Sequence, residues 1–250
     1  METRIQQAAE VLSRSRLTVA LTGAGISVES GIPPFRGPGS IWDKIDPMEF
    51  AHIDAFMKNP ARVWEVLVSG LKRKLDTAKP NKGHLALAEL ETRGLLSAVI
   101  TQNVDSLHQK AGSRDVIEFH GTFATLRCLD CGHQTPSAAI TLNALPPHCH
   151  CGGIYRPDCV FYGESISMEI LTRSREFSSQ CDAMLVVGTS AVVQPAAMMP
   201  VLAKQNGATI IEVNPTPTPL TAATSDIFLQ GGAGSVLSRL TEAVAIPTGP

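Results

Sequence analysis

Five short apolar runs recur along the chain: LTVAL (17–21), LSAVI (96–100), AMLVVG (183–188), ATIIEV (208–213) and DIFL (226–229). Between many of them lie amphipathic stretches of helix length, HLALAELETRG, PAAMMPVLAKQNG and GSVLSRLTEAV, each beginning or ending near Gly or Pro. Runs that are apolar at nearly every position suit strands buried on both faces. The alternation therefore predicts an α/β fold in which helices cover both sides of a parallel sheet.

Two regions break the rhythm. Residues 43–77 read as short helices with Val63, Trp64, Val66 and Leu67 on an apolar face, and residues 124–157 hold four cysteines, Pro136, Pro146, Pro147 and little apolar content. Both are expected to be insertions that together form a small domain, one part helical and the other a zinc ribbon. That leaves 1–42, 78–123 and 158–250 for a Rossmann-like domain. At 250 residues the chain is long enough to bury a sizeable core.

A net charge of −2 gives no electrostatic reason to expect nucleic acid or an anionic membrane as partner. The run Lys72-Arg73-Lys74 reads as a solvated helix face. The first twenty residues contain no signal-like apolar core, and no run approaches the roughly 20 apolar residues of a membrane span. The expectation is a cytoplasmic monomer. In such a reducing compartment six cysteines read as thiols and metal ligands rather than disulfides.

Cys128 and Cys131 stand in CxxC spacing, and after seventeen residues Cys149 and Cys151 follow as CxC. Four thiolates in this arrangement suit one tetrahedral Zn²⁺ and leave no open position for water, so the metal is expected to be structural. His148 and His150 flank the second pair as competing ligands, but the shell is complete without them. The alternative, four free thiols in a loop, is weak, because a segment with so little core needs a clip. Cys159 and Cys181 lie beside apolar runs and are expected to be core thiols.

LTVALTGAGISVESGIPPFRG begins as a strand feeding a glycine turn. Gly23 and Gly25 fill the first two positions of a dinucleotide fingerprint, but the third is Val28, so the motif is incomplete and an ordinary strand-to-helix turn remains an equal reading. As a ligand loop, its glycines would let backbone N–H groups approach a pyrophosphate, with Ser27 capping the next helix and reaching the ligand. The following SGIPPFRGPG carries Phe35 and Arg36 on a stretch suited to fold over a phosphate ligand.

GAGIS (23–27), SGIPPFRG (30–37), TQNVDSLH (101–108), FHG (119–121), GTSAVVQPA (188–196) and EVN (212–214) together resemble the motif series of the sirtuin protein deacylases, in order from about residue 17 to 240. The four cysteines fall where that family carries its structural zinc. The resemblance implies an NAD-dependent enzyme that moves the acyl group of an acyl-lysine protein or peptide onto ADP-ribose. In family chemistry the acyl oxygen attacks the nicotinamide ribose to give an alkylimidate, and a general base then activates a ribose hydroxyl.

His120 is expected to be that base, since an imidazole can take up and pass on a proton near neutral pH. Asn103 would orient the ribose or a water, Asp105 hold the nicotinamide amide, and Gln102 meet ribose hydroxyls. Ala24 and Val104 line the same cofactor by resemblance. Ser27 and Arg36 are assigned to phosphate, with Phe35 in the loop above. Gly188, Thr189 and Ser190 end a strand where nucleotides bind, Asn214 should face the adenine ribose, and Gly232 and Ala233 open the last helix near the adenine. His108 is expected to pack in its own short helix.

CVFYGES (159–165) resembles the segment that pairs with an extended substrate, placing Val160, Phe161, Gly163 and Glu164 against its backbone. Tyr162 replaces the usual Phe. Sirtuins that prefer succinyl or malonyl lysine carry a Tyr and an Arg in the tryptophan-containing helix, and those positions align here with Leu67 and Gly70. Neutral acyl groups are therefore expected, acetyl first and longer aliphatic chains against Leu67.

Rival readings are a desuccinylase or demalonylase, a protein mono-ADP-ribosyltransferase or NAD hydrolase on the same scaffold, an NAD-dependent binding module and a nucleic-acid-binding ribbon. The last wants basic and aromatic residues around the cysteines, and 124–157 offers only Arg127, Tyr155 and Arg156.

Overall fold

The apolar runs become neighbours in one sheet because each can bury both of its faces only between layers of helices. A computed structural model describes residues 1–35, 39, 40, 43 and 46–244. Arg36, assigned above to phosphate, lies outside the described residues. Helix α1 (Glu2–Arg14) leads into β1 (Thr18–Thr22) and a 3-10 helix at Ala24–Ser30. Short helices α2 (Pro47–Phe50), α3 (Ile53–Lys58), α4 (Pro60–Val63) and α5 (Ser69–Thr77) follow, with a π-helical turn at Trp64–Val68 before α5. The chain then runs through α6 (Lys82–Thr92), β2 (Ala98–Thr101), α7 (Leu107–Ala111) and β3 (Val116–Glu118).

Strands β4 (Gly121–Cys128), β5 (Gln134–Pro136) and β6 (Tyr155–Cys159) form a separate antiparallel sheet in the order β5-β4-β6. After it come α8 (Met168–Gln180), β7 (Ala183–Val187), α9 (Met198–Gln205), β8 (Thr209–Asn214), α10 (Pro219–Ala223), β9 (Ile227–Gln230) and α11 (Ala233–Ala243).

The main sheet is parallel throughout, in the order β3-β2-β1-β7-β8-β9. Alternation along each strand feeds two cores. Ala20, Val99, Leu185 and Ile211 pack with α1, α6 and α11 on one face, and Val19, Leu21, Ile100, Met184 and Val186 pack with Met199 and Ala203 of α9 on the other. Strands β2 and β3 extend the sheet to one side of β1, and β7 resumes it on the opposite side. The direction of winding thus reverses between β1 and β7, and their carboxyl ends open a crevice at that point.

The two insertions share a third core. Phe56, Val63, Trp64, Val68 and Leu75 from the helical segment pack with Leu126, Cys128, Cys149, Tyr155 and Phe161 from the ribbon side. Fully buried Trp64 donates its indole N–H to the Tyr155 carbonyl at 2.9 Å, tying one insertion to the other. The small sheet spans 121–159, so the boundaries expected at 124 and 157 fall inside β4 and β6.

One sequence expectation is corrected here. Arg73 and Lys74 are solvated, but Lys72 is buried. It shares the inward face of α5 with Leu75, three residues on, and its ammonium reaches Asp76 at 2.5 Å.

Trp64→Phe removes the indole donor while keeping an aromatic ring and leaves the Tyr155 carbonyl without it. The expected outcome is a loss of about 1–3 kcal/mol in unfolding free energy by urea titration, with metal content unchanged.

Candidate active site

The crevice begins with a backbone contact. Gly25 donates its N–H to the Gly188 carbonyl at 2.8 Å, and Gly23 donates to the Val187 carbonyl at 3.1 Å. A Cβ on Gly25 would lie 2.6 Å from the Gly188 Cα, so only glycine fits there. Both glycines border the crevice, but these two N–H groups are engaged within the fold rather than free for a pyrophosphate. Val28, at the third fingerprint position, is exposed.

Around that contact the expected residues converge in one hydrogen-bonded network. Asn103 donates from Nδ2 to the Gly23 carbonyl and to Ser27 Oγ, each at 3.1 Å, and Ser27 Oγ donates to Asp105 Oδ2 at 2.7 Å. Gln102 donates from Nε2 to Thr189 Oγ1 at 2.9 Å, while Asn214 donates from Nδ2 to the Thr189 carbonyl at 3.1 Å. The network therefore spans the ends of β1, β2, β7 and β8. Ser27 does not cap a helix. It sits fully buried within the 3-10 helix, whose N-cap is Gly23.

Ala24, Val104 and Ser190 border the same crevice half-buried, Ala233 is buried at the start of α11, and Phe35 is more than a third exposed. Gly234, next to Ala233, donates its N–H to Glu29 Oε1 at 3.0 Å, so this carboxylate satisfies an end group of α11.

His120 follows β3, and its Nδ1 lies 3.1 Å from the Gln102 carbonyl. A carbonyl only accepts, so Nδ1 carries the proton and the neutral ring presents a lone pair at Nε2. Burial lowers the pKa of this imidazole, and the Gln102 carbonyl opposes that shift without cancelling it. His120 is thus neutral at physiological pH and able to accept a proton.

Behind the network lie two further histidines. His108 is buried in α7, as expected, with Nε2 2.9 Å from Thr22 Oγ1, and its ring meets that of His84 edge-on at 4.9 Å. Burial pulls His84 down to about 4 and His108 to about 3. His84 was not singled out in the sequence, because HLALAEL reads as an ordinary helix.

The segment proposed to meet a substrate backbone is already partly paired. Val160 donates its N–H to the His120 carbonyl, Tyr162 to the Ala51 carbonyl and Phe161 to Glu164 Oε2, at 2.9, 2.9 and 2.8 Å. Glu164 was expected to face substrate, but its carboxylate is gripped by buried Arg156, whose Nη1 and Nη2 each reach it at 2.6 Å. The guanidinium stacks 4.7 Å from the Phe161 ring and also donates to the Cys159 carbonyl. Arg156 is a positioning residue that sequence reading missed. Nothing in RPDCVFYGE marks an arginine reaching forward eight residues. The Gly163 N–H has no partner among the described residues, and a Cβ at Gly163 would meet the His52 ring at 2.6 Å.

Leu67 is buried within the π turn, whereas a Cβ on Gly70 would meet open space. Cys181 is a core thiol, and Cys159 is half-buried.

The cysteine cluster is separate from this network and belongs to the third core. The sulfurs of Cys128 and Cys151, Cys131 and Cys149, and Cys131 and Cys151 lie 3.6, 3.8 and 3.4 Å apart, too far for disulfides. Zn–S bonds of ~2.3 Å require sulfurs about 3.8 Å apart at the corners of a tetrahedron, so the four fit one Zn²⁺ and close its shell. His148 Nδ1 is engaged with the Gly152 carbonyl and His150 Nδ1 lies 3.4 Å from Cys149 Sγ, and the group of mutually close ligand atoms consists of the four sulfurs without either histidine.

The Sir2 family model matches residues 23–195. A curated relative from Pyrobaculum aerophilum, "NAD-dependent protein deacylase 2", is 47% identical over 237 residues, covering 94% of each chain. A solved complex of a Sir2 homolog with NAD superposes with a TM-score of 0.88 at 44% identity, covering 95% of this chain and 93% of that one. A Sir2 complex with a deacetylated p53 peptide and 3′-O-acetyl ADP ribose gives 0.90 at 36% identity, covering 95% and 97%.

In the unfolded chain His84 and His108 take up protons near pH 6.5, which the folded chain withholds from them. Stability is therefore full above about pH 6.5 and falls as pH drops toward about 4, by up to about 1.4 kcal/mol per pH unit for each ring. Urea midpoints measured between about pH 7.5 and 5.5, above most carboxylate titrations, should decline on the acid side. A flat profile would mean that the folded rings accept protons freely.

Proposed function

The chain belongs to the Sir2 family, and on that premise we propose that it is an NAD-dependent protein deacylase acting on acyl-lysine proteins or peptides. NAD supplies an electrophilic ribose carbon and leaves as nicotinamide and O-acyl-ADP-ribose, which explains why an amide cleavage consumes a dinucleotide. The reading is carried by His120, whose ring is pinned through Nδ1 to the Gln102 carbonyl so that a basic Nε2 remains beside the crevice.

In this reading His120 takes the proton from a ribose hydroxyl. Asn103, held by Gly23 and Ser27, orients the reacting ribose, and Asp105, held by Ser27 and the Leu107 N–H, receives the nicotinamide amide. Gln102 and Thr189 hold ribose hydroxyls between β2 and β7, while Asn214 faces the adenosine ribose and Ala233 the adenine. Gly23, Ala24, Gly25, Val104, Gly188 and Ser190 line the dinucleotide, with Phe35 above it. Among the N–H groups of the 160–164 segment, that of Gly163 is the one left for a substrate strand, and such backbone pairing depends little on sequence.

Leu67 offers neither a hydroxyl nor a positive charge to an acyl carboxylate, and Gly70 adds no side chain. The preferred acyl groups are therefore neutral, with acetyl first. A cytoplasmic monomer completes the proposal, to be checked by fractionation and sedimentation. No helix among the described residues is long and apolar enough to cross a membrane.

Purified protein, NAD and an acetyl-lysine peptide should yield O-acetyl-ADP-ribose by mass spectrometry, and His120→Ala should lower the rate by about 10²–10⁴. Label transferred to protein without deacylation would instead establish ADP-ribosyl transfer. Because His120 must be unprotonated, activity should fall on the acid side with a midpoint below about 6.5. Across acetyl, butyryl, myristoyl and succinyl peptides, succinyl should be the poorest, and a dominant succinyl rate would refute the assignment to Leu67 and Gly70.

A further inference from the structure

Glu212 is a fully buried carboxylate with no cationic partner among the described residues. It lies on β8 two residues before Asn214, so the two side chains leave the strand on the same face. Four neutral donors surround it. Oε1 accepts from Asn214 Nδ2 at 3.1 Å and Thr218 Oγ1 at 2.6 Å, and Oε2 accepts from Thr221 Oγ1 and Ser225 Oγ at 2.7 Å each. Burying a negative charge among hydroxyls is costly, and pinning α10 to the sheet would not by itself require a charged group.

The consequence falls on Asn214. Its Nδ2 carries two hydrogens, one donated to Glu212 and the other to the Thr189 carbonyl at 3.1 Å. Both partners only accept, which fixes the amide so that Nδ2 faces them and Oδ1 is the polar atom left for a ligand. A group opposite Oδ1 must therefore donate. A ribose hydroxyl does, whereas a phosphate monoester offers acceptors, and its charge of about −2 would lie near a buried carboxylate.

We propose that Glu212 makes the crevice selective for an unphosphorylated adenosine ribose, by holding Asn214 with its acceptor toward the ligand and by opposing a second negative group there. The ligand is thus NAD rather than its 2′-phosphorylated counterpart. This rests on the reading above that Asn214 faces the adenosine ribose.

The test is calorimetric binding of ADP-ribose and ADP-ribose 2′-phosphate to the zinc-loaded protein, alongside KM and kcat for NAD and NADP. The wild type should bind ADP-ribose at least about 100-fold more tightly than the 2′-phosphate, since the hydroxyl-to-amide hydrogen bond and a like-charge clash each contribute roughly tenfold. Glu212→Gln should narrow that ratio to about tenfold and raise KM for NAD, with kcat at saturation within about twofold.

Thr221→Val removes a donor that fixes α10 without touching Asn214, and should lower Tm while leaving the ratio intact. Asn214→Ala, which deletes the presented oxygen, should weaken ADP-ribose alone by about tenfold and carries the test if Glu212→Gln does not fold. Equal wild-type affinities, an unchanged ratio in Glu212→Gln, or an equal loss of both ligands in Asn214→Ala would overturn the inference. A wild type that binds no ADP-ribose would remove the NAD reading itself, and the inference with it.

Discussion

The crevice depends on two strand ends that meet without room for a side chain. Gly25 hydrogen-bonds to Gly188 at 2.8 Å, and a Cβ on either residue would collide with the other's backbone. This contact brings the turn after β1 against the end of β7 where the sheet reverses its winding. Asn103 then reaches the Gly23 carbonyl, and Gln102 reaches Thr189. A wider gap would separate these partners, since their bonds of 2.9–3.1 Å tolerate little displacement.

The site is held by polar groups buried at some cost to stability. His84 and His108 stay neutral beneath the crevice, Arg156 binds Glu164 beside the 160–163 segment, and Glu212 gathers hydroxyls beside Asn214. None is expected to touch the reacting atoms. Each fixes the orientation of a side chain or loop bordering the crevice, and an apolar replacement of the same volume would fill the space without fixing an orientation.

Much of the main sheet was legible because its strands are buried on both faces, so LTVAL or AMLVVG needs no periodicity to be recognised. Strand β3 was not, because three residues carry too little pattern and its only fully buried member is Ile117. The cysteines were legible because metal geometry imposes spacing. Lys72 was misread because charge composition does not reveal which face of α5 turns inward. Motif reading found Gly23, Gly25 and Ser27, but their local roles emerged only when packing showed which N–H groups were engaged and where the Ser27 hydroxyl pointed. Arg156 and Glu212 left no local signal, since their partners are set by how loops return in space.

The third core is assembled from chain segments made at different times. Phe56, Val63 and Trp64 emerge during synthesis well before Tyr155 and Phe161, which complete their packing. Until the ribbon follows, a tryptophan-bearing apolar face has no cover of its own, and it is at this stage that the nascent protein is most exposed to chaperones and to aggregation.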